Sequence, residues 1–68
     1  MYCVGVIKNS KLWGYVHYEM MSQSYFFSTN KVGCCVWKDN FSVAEFIANT
    51  EVYESDLKLL AIDLSSNN

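Results

Sequence analysis

Two strand-forming runs at the start of the sequence, with a short polar break between them, predict a β-hairpin. Residues 2–8 read YCVGVIK and residues 12–19 read LWGYVHYE. Both runs are rich in β-branched and aromatic residues, which fit the pleated surface of a strand. The break at residues 9–11 reads NSK and contains favoured turn residues. We therefore expect an antiparallel strand pair here.

The alignment of this hairpin depends on the length of its turn. A two-residue turn places Val4 and Val6 beside Tyr15 and Trp13, whereas a three-residue turn places Val6 beside Gly14. Because side chains alternate along a strand, a shift of one residue exchanges the two faces. In both registers large apolar side chains lie on both faces of the hairpin.

A second hairpin is predicted from the stretch YFFSTNKVGCCVWK. Residues 25–28 and 31–38 are rich in strand formers, and residues 20–23 before them are read as a loop. In this interpretation the adjacent residues Cys34 and Cys35 point to opposite faces of a strand. We interpret them as small core residues of a strand that is apolar on both sides. One side would meet a helix, and the other would meet a partner or a second layer.

Residues 42–50 carry the signal for one helix. Ser42 and Glu45 match a capping box, in which the serine accepts a hydrogen bond from the third helical amide and the glutamate returns to the cap. The residues that follow at helical spacing are Val43, Phe46, Ile47 and Thr50. We expect this helix to cover one face of the sheet.

The segment LKLLAIDL, residues 57–64, fits either a strand or a second helix. Leu57, Leu60 and Leu64 recur at helical spacing. Leu60, Ile62 and Leu64 also alternate along one side of a strand. We favour the strand, which would cover one edge of the sheet.

These elements together predict an α+β fold. Its small antiparallel β-sheet consists of two hairpins, with residues 57–64 as a possible C-terminal strand, and it packs on one α-helix. We expect residues 1–64 to form a single small domain and residues 65–68 to form a disordered C-terminal tail.

The amount of apolar surface is large for a chain of this size. Apolar residues make up 51% of the 68 residues, and aromatic residues make up 16%. A chain of this length buries only about 60% of the surface that its unfolded form exposes. Contiguous apolar surface usually marks an interface. We therefore expect a homo-oligomer and a partner protein.

The charges are distributed unevenly along the chain. Residues 1–38 contain four lysines and one acid, a net charge of +3, whereas residues 39–68 contain one lysine and six acids, a net charge of −5. An acidic side of this kind suits docking on a basic partner. There is no arginine for bidentate phosphate recognition and no basic stripe, so we do not expect binding to duplex nucleic acid.

Localisation is read from the absence of targeting patterns. The sequence shows no signal-peptide pattern and no apolar run of membrane-spanning length, so we expect a cytoplasmic protein without membrane association. The odd number of cysteines also predicts no disulfide framework.

Chemistry at a metal or catalytic site is not expected. Cys3, Cys34, Cys35 and His17 are the soft ligands, but no C-x-x-C pair is present. A cysteine nucleophile with His17 as its base would also need an orienting group and an oxyanion site. We expect buried thiols, no metal, no cofactor and no enzymatic activity.

The residues most suited to binding are aromatic and acidic side chains. Trp and Tyr are favoured anchors at interfaces and also stack on nucleobases. The candidate set for a partner or ligand is Trp13, Tyr15, His17, Phe26, Trp37, Glu51, Glu54 and Asp56.

Three functional hypotheses follow from these features. The leading one is a non-enzymatic protein-binding module, such as an inhibitor or accessory protein of a phage or mobile element that blocks a host protein. The alternative is an oligomer that binds or sequesters a small nucleotide-like ligand. A further alternative is a binder of single-stranded nucleic acid.

Overall fold

A computed structural model describes residues 1–50 and 56–65 of the protein. Four strands form one antiparallel sheet in the order β3-β2-β1-β4, and one helix packs on it. The elements in chain order are β1 (Tyr2–Lys8), β2 (Lys11–Glu19), β3 (Ser24–Ser28), α1 (Asn40–Asn49) and β4 (Leu57–Asp63). The predicted α+β class, with an antiparallel sheet and a single helix, is confirmed. Of the predicted disordered tail, residues 66–68 lie outside the described residues, and Ser65 donates hydrogen bonds to Asp63.

The first hairpin combines features of both predicted registers. Asn9 and Ser10 have φ of 52° and 64°, and positive φ at both central residues is the signature of a two-residue type I′ turn. Further along, the register shifts, so that Val6 lies opposite Gly14 as a three-residue turn would have placed it. The extra residue on β2 is Trp13, which therefore sits on a β-bulge.

The second hairpin of the structure is a different strand pair from the predicted one. It joins β2 to β3 through residues 20–23, which form the predicted loop. Val16 lies opposite Phe27, and His17 lies opposite Phe26. The predicted pairing of residues 25–28 with a strand at 31–38 is wrong. β3 pairs with β2 instead.

Residues 31–38 form no strand beyond a single bridge between Trp37 and Tyr2. A turn interrupts the segment, because Gly33 has φ of 83° and the Cys34 amide donates to the Lys31 carbonyl oxygen. Cys34 and Cys35 are therefore not neighbours in a two-sided strand.

The end of this segment fills a gap between two strands. β1 and β2 pair only between Gly5 and Lys8 on the β1 side. Beyond that point the Cys35 amide donates to the Val16 carbonyl oxygen at 3.0 Å, and Trp37 exchanges two backbone hydrogen bonds with Tyr2. The segment thus satisfies backbone groups that a continuous β1–β2 ladder would otherwise pair.

The helix begins two residues earlier than predicted, at Asn40. Its N-cap is Asp39, whose carboxylate accepts a hydrogen bond from the Ser42 amide at 2.7 Å. The predicted capping box is wrong, because Asp39 supplies the cap and Ser42 lies inside the first turn. This hydrogen bond lowers the pKa of the Asp39 carboxyl.

The C-terminal segment is a strand, as favoured. β4 pairs with β1 over its whole length, from Lys8 opposite Leu57 to Tyr2 opposite Asp63. This pairing makes β1 a central strand and β4 an edge strand. The alternative of a second helix over residues 57–64 is wrong.

The core lies between the sheet and α1, on what is called here the helix side. Fully buried Val4, Val6 and Val16 project from the sheet, and fully buried Val43 projects from the helix. Partly buried residues around them include Tyr2, Phe27, Trp37, Phe46, Ile47, Leu57, Leu59 and Ala61. Because side chains alternate, the other half of each strand faces away from this core.

Candidate functional site

The predicted aromatic binding residues do not meet at one place. Strand alternation puts Tyr15, His17 and Phe26 on the side of the sheet that faces away from the helix. Trp13 and Trp37 lie on the helix side at opposite ends of β1: Trp13 lines a pocket with Lys8, and Trp37 pairs with Tyr2.

Of the three predicted acidic binding residues, the structure describes Asp56. Asp56 is exposed, and its carbonyl oxygen accepts a hydrogen bond from the Asn9 amide in the first turn at 3.4 Å. Glu51 and Glu54 lie outside the described residues. The structure therefore brings Asp56 to the tip of the first hairpin, away from Tyr15 and His17.

An apolar surface covers much of the sheet opposite the helix. Three of its side chains, Leu12, Phe26 and Leu60, are 51%, 45% and 53% exposed. This surface, called the open face, includes Ile7, Leu12, Tyr15, Phe26, Leu60 and Ile62, and exposed Lys58 lies at its edge opposite Ile7. It draws side chains from all four strands, so it is continuous across the sheet.

Gly5 lies beneath the middle of the open face. A Cβ at this position would be 2.7 Å from Ile62 Cδ1 and 3.0 Å from Leu12 Cδ1. The side chains of Leu12 and Ile62 therefore close over the glycine from the two neighbouring strands. The two side chains fill the space above Gly5, which leaves no room for a small ligand at that point of the face.

His17 is held in place beside the open face. Its ring stacks on Phe26 with centroids 5.2 Å apart, and only 7% of the residue is exposed. Its Nε2 lies 2.6 Å from the carbonyl oxygen of Asn30. Because a carbonyl oxygen only accepts, Nε2 carries the hydrogen and donates it. This bond ties the chain after β3 to the sheet.

The three cysteines are free thiols in a partly buried group. Cys3 is fully buried and lies within hydrogen-bonding reach of Cys34. Burial raises the pKa of the Cys3 and Cys35 thiols, and the neighbouring Cys34 raises both further. Raised pKa values keep these groups as thiols, which are poor nucleophiles and poor metal ligands. Within residues 1–50 and 56–65, no three His, Cys, Asp or Glu side chains are placed to hold a metal ion.

A second surface, on the helix side, is lined by aromatic rings. Tyr18, Tyr25, Phe46 and Trp37 form a continuous series, with successive ring centroids 5.0, 4.8 and 4.7 Å apart. Between β3 and α1 the rings of Tyr25, Trp37 and Phe46 border a groove of about 640 Å³ that also contacts Glu45 and Asn49. These five residues define the aromatic groove.

A third feature lies at the tip of the first hairpin. Lys8 and Lys11 are directly opposite each other across the two strands, a like-charged pairing that is destabilising on its own. Trp13 is 42% exposed on its bulge beside them and borders a small pocket of about 130 Å³ with Lys8 and Phe27. The pair and the indole together are called the lysine tip.

Several residues of these surfaces were not among the binding residues predicted from the sequence. Leu60 and Ile62 carried a usable signal, since their alternation in a strand was already visible in the sequence. Tyr25, Glu45 and Phe46 carried none, because only the packing of α1 against the sheet brings them together.

The comparisons with known proteins add no relative. No family model, no curated protein and no solved structure matches the chain. Within the described part of the chain, no helix combines the length and the apolar character needed to cross a membrane.

Proposed function

We propose that the chain is a non-enzymatic protein-binding module that assembles with a second copy through the open face. The observation that carries this proposal is the exposure of Leu12, Phe26 and Leu60 on one continuous sheet face. Contiguous apolar surface of this kind marks interaction sites. Leu12 and Ile62 fill the space above Gly5, which favours a protein surface over a small molecule as the occupant.

The size of the core supports a second copy as that occupant. Among the described residues, the fully buried apolar side chains are Cys3, Val4, Val6, Val16 and Val43. So few residues make a marginal core for a domain of this size. A second copy brings an equally apolar face, and two sheets pack about 10 Å apart with their side chains interdigitated.

The area of the open face sets the expected strength of the dimer. Four strands spaced about 4.8 Å apart, each rising about 3.3 Å per residue, give a footprint of about 400 Å². Two such faces bury about 800 Å², which is below the range of stable interfaces and is typical of weak, transient ones. We therefore expect a dimer that dissociates at micromolar concentration.

Sedimentation equilibrium of the wild type and two lysine variants tests the proposal. Leu60→Lys places a charge on the open face, whereas Met21→Lys places it on the 95% exposed loop residue of the second hairpin. The wild type and Met21→Lys should dimerise alike, and Leu60→Lys should be monomeric. Equal dimerisation of all three proteins would refute the open face as the interface.

The finer role that we propose is that of an inhibitor or accessory protein that blocks a host protein. Support comes from the small size of the chain, the excess of apolar surface and the acidic residues of its C-terminal half. Loss of a specific partner from cell extracts on mutation of a surface residue, without loss of folding, is the matching test.

A nucleotide-like ligand is the second candidate, and the lysine tip favours it. A phosphate between Lys8 and Lys11 would relieve their repulsion, and Trp13 offers a ring on which a base can stack. Titration with ATP, followed through the Trp13 indole NMR signal, tests this candidate. A shift that is lost in Lys11→Gln supports it, and an unmoved signal rejects it.

A further inference from the structure

The aromatic groove has the lining of a site for a positively charged side chain. Three aromatic rings line it: Tyr25 of β3, Phe46 of α1, and Trp37 from the segment before the helix. Tyr25 is 51% exposed. Glu45 and Asn49 supply polar atoms along the helix edge. We propose that this groove binds an arginine side chain from an extended segment of a partner protein.

The charge of the lining selects a cation. The faces of aromatic rings are negative and attract cations that lie within about 6 Å of the ring centre. Glu45 adds a full negative charge and is exposed beside the rings. In the described structure no lysine lines the groove; Lys38, the neighbour of Trp37 in the chain, is exposed and does not border it.

The combination of groups favours arginine over lysine. A guanidinium is planar, stacks on aromatic rings and carries five hydrogen-bond donors. It therefore lies flat against Trp37 or Tyr25 while it donates to the Glu45 carboxylate and the Asn49 side-chain oxygen. An ammonium group satisfies the carboxylate but has no planar surface for stacking.

The surroundings of the groove favour an extended segment over a free small cation. Tyr25 and Trp37 also border a second hollow on their other side, of about 350 Å³. The remaining residues that line this hollow are Tyr18, Cys35 and Val36. An extended chain that crosses between the two hollows places the arginine beside Glu45 and an apolar side chain, two residues away, against Val36.

This site is separate from the open face, which lies on the opposite side of the sheet. The inference shares with the proposed function only the premise that the partner is a protein. Dimerisation is not needed for binding in the groove, so a monomeric Leu60→Lys variant should bind with unchanged affinity. Failure of one proposal is therefore distinguishable from failure of the other.

NMR titration of the full chain with a short peptide tests the inference. The probe is acetyl-Gly-Arg-Gly-Val-Gly-amide, and its control replaces arginine by citrulline, which keeps the shape but removes the charge. The indole N–H signal of Trp37 should shift and saturate at millimolar peptide, while that of Trp13, which lies on β2 near the first turn, should not move. We expect citrulline to weaken binding about tenfold, the effect of a cation–aromatic contact joined to a carboxylate.

Two glutamate variants provide the matched comparison. Glu45→Gln should weaken binding of the arginine peptide several-fold, whereas Glu19→Gln, at the end of β2, should leave the affinity unchanged. The inference is overturned if the citrulline peptide binds equally well, if both variants bind alike, or if the Trp37 signal does not move. Movement of the Trp13 signal alone would also overturn it and would locate binding at the lysine tip.

Discussion

The two sides of the sheet both carry apolar side chains, but only the part beneath α1 is fully covered. On the helix side, Val4 and Val6 of β1 are fully buried beneath α1. On the open face, Leu12 and Leu60 are about half exposed. The same alternation of side chains produced both surfaces, and the difference lies in the layer above them. An apolar strand face in a sequence indicates that another layer covers it. Only the three-dimensional structure shows whether that layer comes from the same chain.

The largest expected difference in stability is between a charge introduced on the helix side and the same charge introduced on the open face. Val43→Lys buries an unpaired charge in the core and should cost more than about 4 kcal/mol, which unfolds a domain of this size. Leu60→Lys should change the free energy of unfolding of the monomer by less than about 1 kcal/mol, because its charge reaches water. Circular dichroism with thermal melting measures both. Comparable destabilisation would show that the two sides are equivalent.

Two glycines sharpen the comparison through steric contact. A Cβ at Gly14 would collide with the carbonyl oxygen of Ser28, a backbone atom that cannot turn aside. A Cβ at Gly5 would instead meet the movable ends of Ile62 and Leu12. Gly14→Ala should cost about 2–3 kcal/mol and Gly5→Ala less than about 1 kcal/mol in urea unfolding. The reverse order would contradict the close backbone approach at Gly14.

The sequence predicted most elements but not the segment between them. Alternating or periodic apolar residues located β1, β2, β3 and the helix, because these patterns reflect burial on one side of an element. Residues 31–38 have the composition of a strand, but Gly33 at positive φ interrupts the run with a turn. The residues after the turn hydrogen-bond to β1 and β2 between the two strands. Composition reports a preference for strands and not a pairing partner.

The helix start and the aromatic groove were beyond local reasoning for different reasons. Asp39 and Ser42 are both good capping residues. Asp39 is the one that caps the helix, because the bridge between Trp37 and Tyr2 fixes the position of the chain just before it. The groove joins Tyr25 to Phe46, a contact that only the docking of α1 creates. Of the predicted binding residues, Trp37 lies in the groove, and Tyr15 and Phe26 lie on the open face.

A smaller effect is expected from the cap that positions α1 over the helix side. The hydrogen bond from the Ser42 amide lowers the folded-state pKa of Asp39 below its ordinary value. Its contribution to stability is therefore present above the ordinary carboxyl pKa and is lost as the pH falls below about 4. Asp39→Ala should lower the Tm at pH 7 and reduce the acid dependence of the Tm. Asp39→Asn should retain the cap and lose only the acid dependence.

The smallest expected effect is a difference in the rate of alkylation among the thiols near the open face. Cys3 lies on that side of the sheet by alternation, yet it is fully buried and its pKa is raised by burial. Iodoacetamide at pH 7 should leave Cys3 unmodified in the folded protein and should modify Cys35, whose pKa is also raised by burial, more slowly than a free cysteine. Mass spectrometry of the digested protein measures the order. Rapid modification of Cys3 would show that this part of the sheet is open.

The central claim is that the open face is the surface on which a second copy packs. A mixed sample of isotope-labelled and unlabelled protein at about 1 mM, well above micromolar dissociation, allows NMR to detect contacts between copies alone. The account predicts intermolecular contacts from the methyl groups of Leu12, Leu60 and Ile62 to the ring of Phe26. Intermolecular contacts confined to the helix side, or none at this concentration, would contradict it.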